Sequence, residues 1–490
     1  MKEFSVEKTL DPLMNDLKTL EVDGIFVERL GISLKGSIAY VSGDNLSSNY
    51  IGGFSVSFSS DNARICRQCM IKKIDIGNGV DVKLRTPKDY DHHVSEIEID
   101  HNNTSIYGIR CRSILNDLNY FHVCEGLPPD PMHDILEGIA PYELALIFKS
   151  LIGDRYLDLD LLNNRISKFK YAKNDKVNKT SLISLAALQK KNIGGTSSMT
   201  QTLIRLLPLI VGDLIPEDGS CKCWSLFLSL KQITEIALAP KLTMNMVSYL
   251  KYLVDMHLSQ FKEIFPQENL KPKHHFIEHY YEAILNYGPL INCWCMRFEA
   301  KHQYFKNVAK RSRNFTDVIK SVAEKHSLLM AYYLSEENFF NAEMYVGNSS
   351  FVLHSQINKS ISDELYKCTG ESKEGYSRTK SVVWRGISYS ENQVLCVNDV
   401  ITSNPIFVEI NSIWIENKKV YFWCQHYIPI YNGHLHIYEL DSTDQHSLIP
   451  IENLLDYYPL NVYKMPEGLH IKGVSLHHAI PSLFESADNV

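Results

Sequence analysis

At 490 residues, 44% of them apolar and 22% charged, the chain is long enough for two to four domains with buried cores. No apolar run approaches the roughly 18 residues of a spanning helix, and the charged start Met1-Lys-Glu-Phe-Ser-Val-Glu-Lys8 lacks the apolar stretch of a signal peptide, so no membrane partner is expected. A net charge of -7 excludes a uniformly basic nucleic-acid coat and leaves DNA contact to local patches, while eleven cysteines without disulfide spacing point to reduced thiols inside a cell.

Residues 7–22 carry apolar side chains at helical spacing, and Ser37-Ile-Ala-Tyr-Val-Ser42 then reads as a buried strand ended by Gly43-Asp44. An acid at the carboxyl end of a central strand projects where open α/β sheets keep their chemistry. The helical period returns over 133–151, 159–169, 182–190, 199–211, 224–238 and 242–265, which predicts an all-α block. Helices are also expected over 274–286, 298–311 and 315–333, with a break at Gly288-Pro289. The polar, serine-rich stretch 341–378 reads as a linker. Beyond it, segments starting at Val382, Val394, Ile406, Val420 and His434 alternate like short strands of a small β-barrel or sandwich.

Two motifs point to a metal. Cys66-Arg-Gln-Cys69 and the distant Lys273-His274-His275-Phe-Ile-Glu-His279 together supply the two thiols and two imidazoles of a closed tetrahedral zinc, which only a folded chain could assemble. On a regular helix His275 shares a face with His279, at i and i+4. His274 serves instead if the helix begins near His275, after Pro272. Asp130-Pro-Met-His133 reads as a helix start, with Asp130 capping and Pro131 in the first position. That places His133 in the first turn, where it can donate a hydrogen bond to a phosphate. Asp44 serves as a metal-binding acid or as a plain turn residue in Gly43-Asp44-Asn45. Glu299 heads a stripe that runs through His302, Gln303, Lys306, Lys310 and Arg313, opposite the apolar Phe298, Phe305, Val308 and Ala309. An acid followed by cations suits metal binding beside a phosphate backbone, although a solvated helix face carries the same pattern. Lys168 and Lys170, interleaved with Phe169 and Tyr171, suit a DNA backbone or an exposed loop equally. No Walker A, G-x-G-x-x-G or G-x-S-x-G sequence is present.

The order of these motifs, together with phrases such as Gly126-Leu-Pro-Pro-Asp-Pro-Met-His133 and Arg297-Phe-Glu299-Ala-Lys-His302, resembles the CACTA-like (En/Spm-type) eukaryotic DDE transposases. The layout is similar to that of the Transib-related catalytic core of the V(D)J recombinase, and the resemblance spans roughly residues 1–335. It implies an RNase H-like fold in which Asp44 is the second catalytic aspartate and Glu299 the catalytic glutamate. Asp130 and His133 form the family's D/C-x-x-H motif, and Cys66, Cys69, His274 and His279 hold a structural Zn2+, with His275 in reserve. The expected organisation is α+β: a partial RNase H-like core over 1–125, an α-helical insertion over 126–265, catalytic helices over 266–340, the linker, and a β-rich accessory domain over 379–490. The implied chemistry is DNA cleavage and strand transfer with Mg2+ or Mn2+, in the nucleus, on DNA as partner and compatible with a homodimer. The family's first aspartate lies on an opening strand. Here the 43 residues before Asp44 read as helix and loop, so weak or absent nuclease activity is expected. The alternative is a domesticated, non-catalytic nuclear protein that binds DNA or chromatin.

Overall fold

The computed structural model describes residues 6–80, 82–314, 316–335, 344–370, 374–399, 404–464 and 472–487, with side chains up to residue 484. It is a mixed α/β protein of two compact units, each discontinuous in sequence. The first comprises Met1–Ser150, Ala186–Thr200 and Lys222–Arg297; the second comprises Leu151–Leu185, Gln201–Cys221 and Phe298–Val490. The helices expected to form one insertion over 126–265 are therefore shared between the two units.

In the first unit, the amphipathic helix Val6–Val22 buries Met14 and Leu17 in a cluster with Phe54, Tyr90, Val94 and Leu127. Thr86 caps the helix Pro87–Ile99 through the Asp89 amide, and Pro87 fills the first turn, where its missing N–H costs nothing. The Tyr90 hydroxyl donates to the Gly52 carbonyl at 3.0 Å and accepts from the Ser113 amide at 3.1 Å, pinning the loop after Ile51. Gly53 is required there: its φ is +71°, and a Cβ would lie 2.0 Å from the Cys111 carbonyl oxygen.

The strand expected at Ser37–Ser42 does not form. The segment pairs in no ladder, and its Val41 amide donates to the Gly126 carbonyl at 2.8 Å. Among the described residues of this unit, the strands are the short antiparallel pair Ile25–Val27 and Ile32–Leu34. Its second half is helical. Met132–Ile139 is a wide π-type turn that continues into Ala140–Gly153, and Lys222–Ala237 packs beside Met244–Ile264. Tyr142, Leu146, Leu226 and Phe261 form the core between these helices.

In the second unit the C-terminal region is β-rich, as its alternating pattern predicts. Seven strands run in the order Leu454–Asn461, Gln393–Asn398, Pro405–Glu416, Lys419–Asn432, Ile437–Pro450, Lys472–Val474 and Tyr463–Lys464. The long central hairpin turns on Asn417 and Lys418, both at positive φ, the twist a two-residue hairpin loop needs. Val408, Ile410, Ile413 and Phe422 fill its core. The expected linker is a correction: Ser349–Leu353 and Gly375–Thr379 join this sheet, and Lys359–Thr369 is a helix with Leu365 buried. Among its described residues, Ser350, Lys359, Asp363 and Lys367 occupy exposed positions of these elements, while Ser362 is buried. Phe315, the expected start of a helix, lies outside the described residues; the helix itself is Val318–Ser335.

Candidate metal centre and the acids around it

Cys66 and Cys69 sit in a loop held by isolated bridges at Arg64↔Lys72 and Cys69↔Leu84. Arg85 ties the loop from below, its Nε donating to the carbonyls of Cys66 and Cys69 at 3.1 Å each. Two histidines arrive from the helix Pro272–Phe276 and the tighter turn Ile277–His279. Cys66 Sγ lies 3.5 Å from His279 Nε2, Cys69 Sγ lies 3.1 Å from His275 Nε2, and the two Nε2 atoms are 3.1 Å apart. All four side chains are buried, and their donor atoms lie within 4.8 Å of one another, so the group could hold a metal ion. A tetrahedral ion with bonds of about 2.0–2.3 Å has edges of roughly 3.3–3.8 Å, close to these separations.

Burial pushes the Cys66 thiol up, but the hydrogen bond from Cys69 and the charge of His279 outweigh it and hold the thiol well below its ordinary value. Cys69, which shares its proton with Cys66 and is itself buried, is raised. Burial disfavours the charged form of His275, yet Cys66 and Glu278 push it up to about 10.

His274, the first choice beside His279, is a correction. Its Nδ1 accepts the Lys271 amide at 2.8 Å, which leaves the proton on Nε2, and Nε2 points at Glu143 Oε1, 3.1 Å away. The same carboxylate oxygen meets His257 Nε2 at 3.0 Å, and His257 Nδ1 meets the Ser229 hydroxyl at 2.7 Å. Glu143, His257 and His274 are wholly buried. Burial alone would raise the Glu143 carboxyl, but the charge and hydrogen bond of His257 lead it down to about 2.

Asp44 caps the helix Asn45–Ile51, its Oδ1 accepting the Ser47 amide at 2.6 Å. It is half-buried. Partial burial raises its carboxyl, and the Ser47 hydrogen bonds with the nearby His133 charge overcome this and lower it. Asp130 caps the π-type turn: Oδ1 accepts the amides of Met132 at 3.2 Å and Cys295 at 3.1 Å, while Oδ2 meets His133 Nδ1 at 2.5 Å. That hydrogen bond raises the His133 pKa against the opposing effect of burial. Cys295, outside every motif singled out in the sequence, forms with Asp130 and His133 a second group that could hold a metal ion.

One arginine links the metal loop to these acids. Arg67, between the two cysteines, donates to Asn45 Oδ1 at 2.8 Å and to the carbonyls of Leu127 and Pro128 at 3.1 and 2.8 Å. Asn45 in turn donates to Asp134 Oδ1 at 2.6 Å, and the Tyr280 hydroxyl donates to Oδ2 at 3.3 Å. Burial pushes Asp134 up to about 6. Lys273 Nζ donates to the carbonyls of His133 at 2.7 Å and Glu137 at 3.3 Å, passing over Gly138, where a Cβ would strike its side chain at 2.5 Å.

The other sequence candidates lie in the second unit. Glu299 is exposed in the first turn of the helix Met296–Ser312, and Lys306 and Lys310 are exposed along the same face; Arg313, also exposed, lies past the helix end at a φ of +51°, off the expected stripe. Lys168 and Lys170 are exposed as well. Phe169 between them is buried against Tyr463, ring centroids 5.5 Å apart, so it is not available to stack on a base. Among the described residues, no helix is long and apolar enough to cross a membrane. Compared with models of known protein families and with curated proteins, the chain matches none.

Proposed function

We propose that this chain derives from a CACTA-like DDE transposase: a zinc-stapled, RNase H-related DNA-binding protein whose own strand cleavage is weak. The observation that carries this reading is the meeting of Cys66-x-x-Cys69 with His275-x-x-x-His279, residues 206 and 213 positions apart in the chain, on one buried centre. Two thiols and two imidazoles are the donor set of a structural Zn2+, and Glu278, 2.8 Å from His275 Nδ1, accepts that ring's N–H and fixes the orientation of the imidazole. The same staple lies one hydrogen bond from Asn45, beside Asp44, and holds the residues that lead into Asp130 and His133. The cysteine pair, the histidine pair and the segments carrying Asp44 and Asp130-x-x-His133 thus neighbour one another within the first unit, which supports the reading.

Under this proposal Asp44 in the first unit and Glu299 in the second correspond to two of the family's metal-binding carboxylates, and His133 is a phosphate-facing donor. Two acids hold a two-metal site poorly, so little cleavage is expected from this chain. A specific observation favours the non-catalytic, nuclear DNA- or chromatin-binding alternative: Asp44 Oδ1 is already committed to its helix cap. One experiment weighs these readings. Purified protein should carry about one zinc per chain and bind DNA in a salt-sensitive way. Metal-dependent nicking that disappears in Glu299→Gln would establish the enzyme over the binding protein; absence of both zinc and DNA binding would end the proposal.

A further inference from the structure

A cleft of about 430 Å3 opens in the first unit where the residues after the helix Leu185–Gln189 meet the start of the helix Pro272–Phe276, and it is lined as far as Asn45. Lys190, Lys191, Lys271 and Lys273 all line it. Lys271 Nζ sits 4.9 Å above the Tyr142 ring, whose hydroxyl donates to Glu268 Oε2 at 2.9 Å, and Lys191 reaches the other oxygen of that carboxylate at 2.6 Å. Lys273 is fixed by the carbonyls of His133 and Glu137. Against these four ammonium groups stand the carboxylates of Glu137 and Glu268, which leaves two positive charges in excess in a chain whose net charge is -7. Gathering like charges in one concavity is unfavourable unless an anion joins them.

We infer that this cleft takes successive phosphate groups of a DNA strand, with Lys190 and Lys271 as the contacting cations and Lys273 as fixed charge close to Asn45. Lysines on flexible stems, supplied by two separate elements, suit a run of phosphates better than one enclosed anion, for which a bidentate arginine fork is the better fit. The inference rests on the proposed function and extends it, because it places strand binding in the unit that holds Asp44 and the metal centre. The cations singled out in the sequence all lie in the other unit.

The test uses the full chain, zinc-loaded, and a fluorescein-labelled DNA duplex of about 20 base pairs, with anisotropy followed over a salt series. Lys190→Gln/Lys271→Gln changes two exposed side chains. It should weaken binding at low salt and reduce the slope of log affinity against log salt by about two. Inorganic phosphate should displace the duplex no better than chloride at equal ionic strength. Wild-type binding with an unchanged slope in the double variant would overturn the cleft and leave the proposed function standing. Displacement by inorganic phosphate far beyond chloride, lost in the variant, would mean a single-anion site and overturn strand binding. Failure of the wild-type chain to bind DNA would overturn both.

Discussion

His274 and His275 are neighbours in the chain, yet they belong to two different buried groups. His275 joins His279, Cys66 and Cys69, while His274 joins His257 around Glu143. What separates them is the partner of each Nδ1. Glu278 faces His275 Nδ1 and holds a proton there, which turns the Nε2 lone pair towards the thiols. The Lys271 amide donates to His274 Nδ1, so the proton sits on Nε2 and the ring can only donate to Glu143. A backbone N–H and a carboxylate thus assign opposite tautomers to adjacent rings, and the tautomer decides whether a histidine ligates or hydrogen-bonds.

The largest expected effect comes from breaking the first group. If the group holds the proposed zinc, Cys66→Ser or His275→Gln should remove it and cost several kcal/mol of stability, because metal binding and folding of such sites are one equilibrium. Metal analysis together with urea unfolding would measure it. Equal zinc content in wild type and in either variant would dissolve the distinction between the two histidine groups.

A smaller effect should follow from His274→Gln. Glutamine can still donate to Glu143 but no longer accepts the Lys271 amide with the same geometry, so a loss of about 1–2 kcal/mol is expected while the metal content stays that of wild type. Loss of the metal in this variant, with the fold retained by circular dichroism, would restore His274 as the ligand.

The two histidine groups also mark how far the sequence could be read. The i, i+4 spacing of His275 and His279 was enough to place both on one face, and the cysteine pair announced its own chemistry. Nothing local to Lys271-Pro-Lys-His274 reveals the partner of His274. The available signal lay elsewhere, in Glu143 as the one charged residue of the apolar run from Ala140 to Phe148, and in His257 inside another helix. A lone acid in such a run must find a buried partner or stay protonated. The Ser37–Ser42 segment failed for a related reason: Ile38, Ala39, Tyr40 and Val41 have strand-like character, but a strand exists only if another chain segment supplies its ladder, and pairing is not a local property. The stretch 341–378 failed in the opposite direction. Its polarity suited a linker, whereas the exposed face of an edge strand and the outer face of a short helix are polar too. The alternation after Val382 was legible because both faces of that pattern persist over several strands. Along Met296–Ser312, Glu299, Lys306 and Lys310 are exposed and Phe305, Val308 and Ala309 half-buried, but Phe298, expected on the apolar face, is exposed, and Arg313 lies beyond the helix end.

The smallest effect extends the comparison to two buried acids of the first unit, Glu143 and Asp134. Glu143 faces two imidazoles and is held down at about 2, whereas burial raises Asp134 to about 6, because its direct partners are a neutral amide and a phenol. The consequence for stability has a definite sign. A carboxyl whose folded pKa lies above its unfolded value keeps its proton in the native state after the unfolded chain has released it, so stability falls as pH rises from about 4 to 6 and the penalty is complete above that. Asp134→Asn removes the ionisation while Oδ1 still accepts from Asn45 and the new amide can donate to the Tyr280 hydroxyl oxygen. The variant should match wild type near pH 4 and exceed it by about 1 kcal/mol at pH 7, since one pKa unit corresponds to about 1.4 kcal/mol and Arg67 loses a nearby counter-charge. Urea midpoints at the two pH values measure this. A variant that is less stable than wild type at pH 7 would mean that Asp134 is ionised and paired with Arg67, as Glu143 is with its histidines, and the contrast between the two acids would vanish.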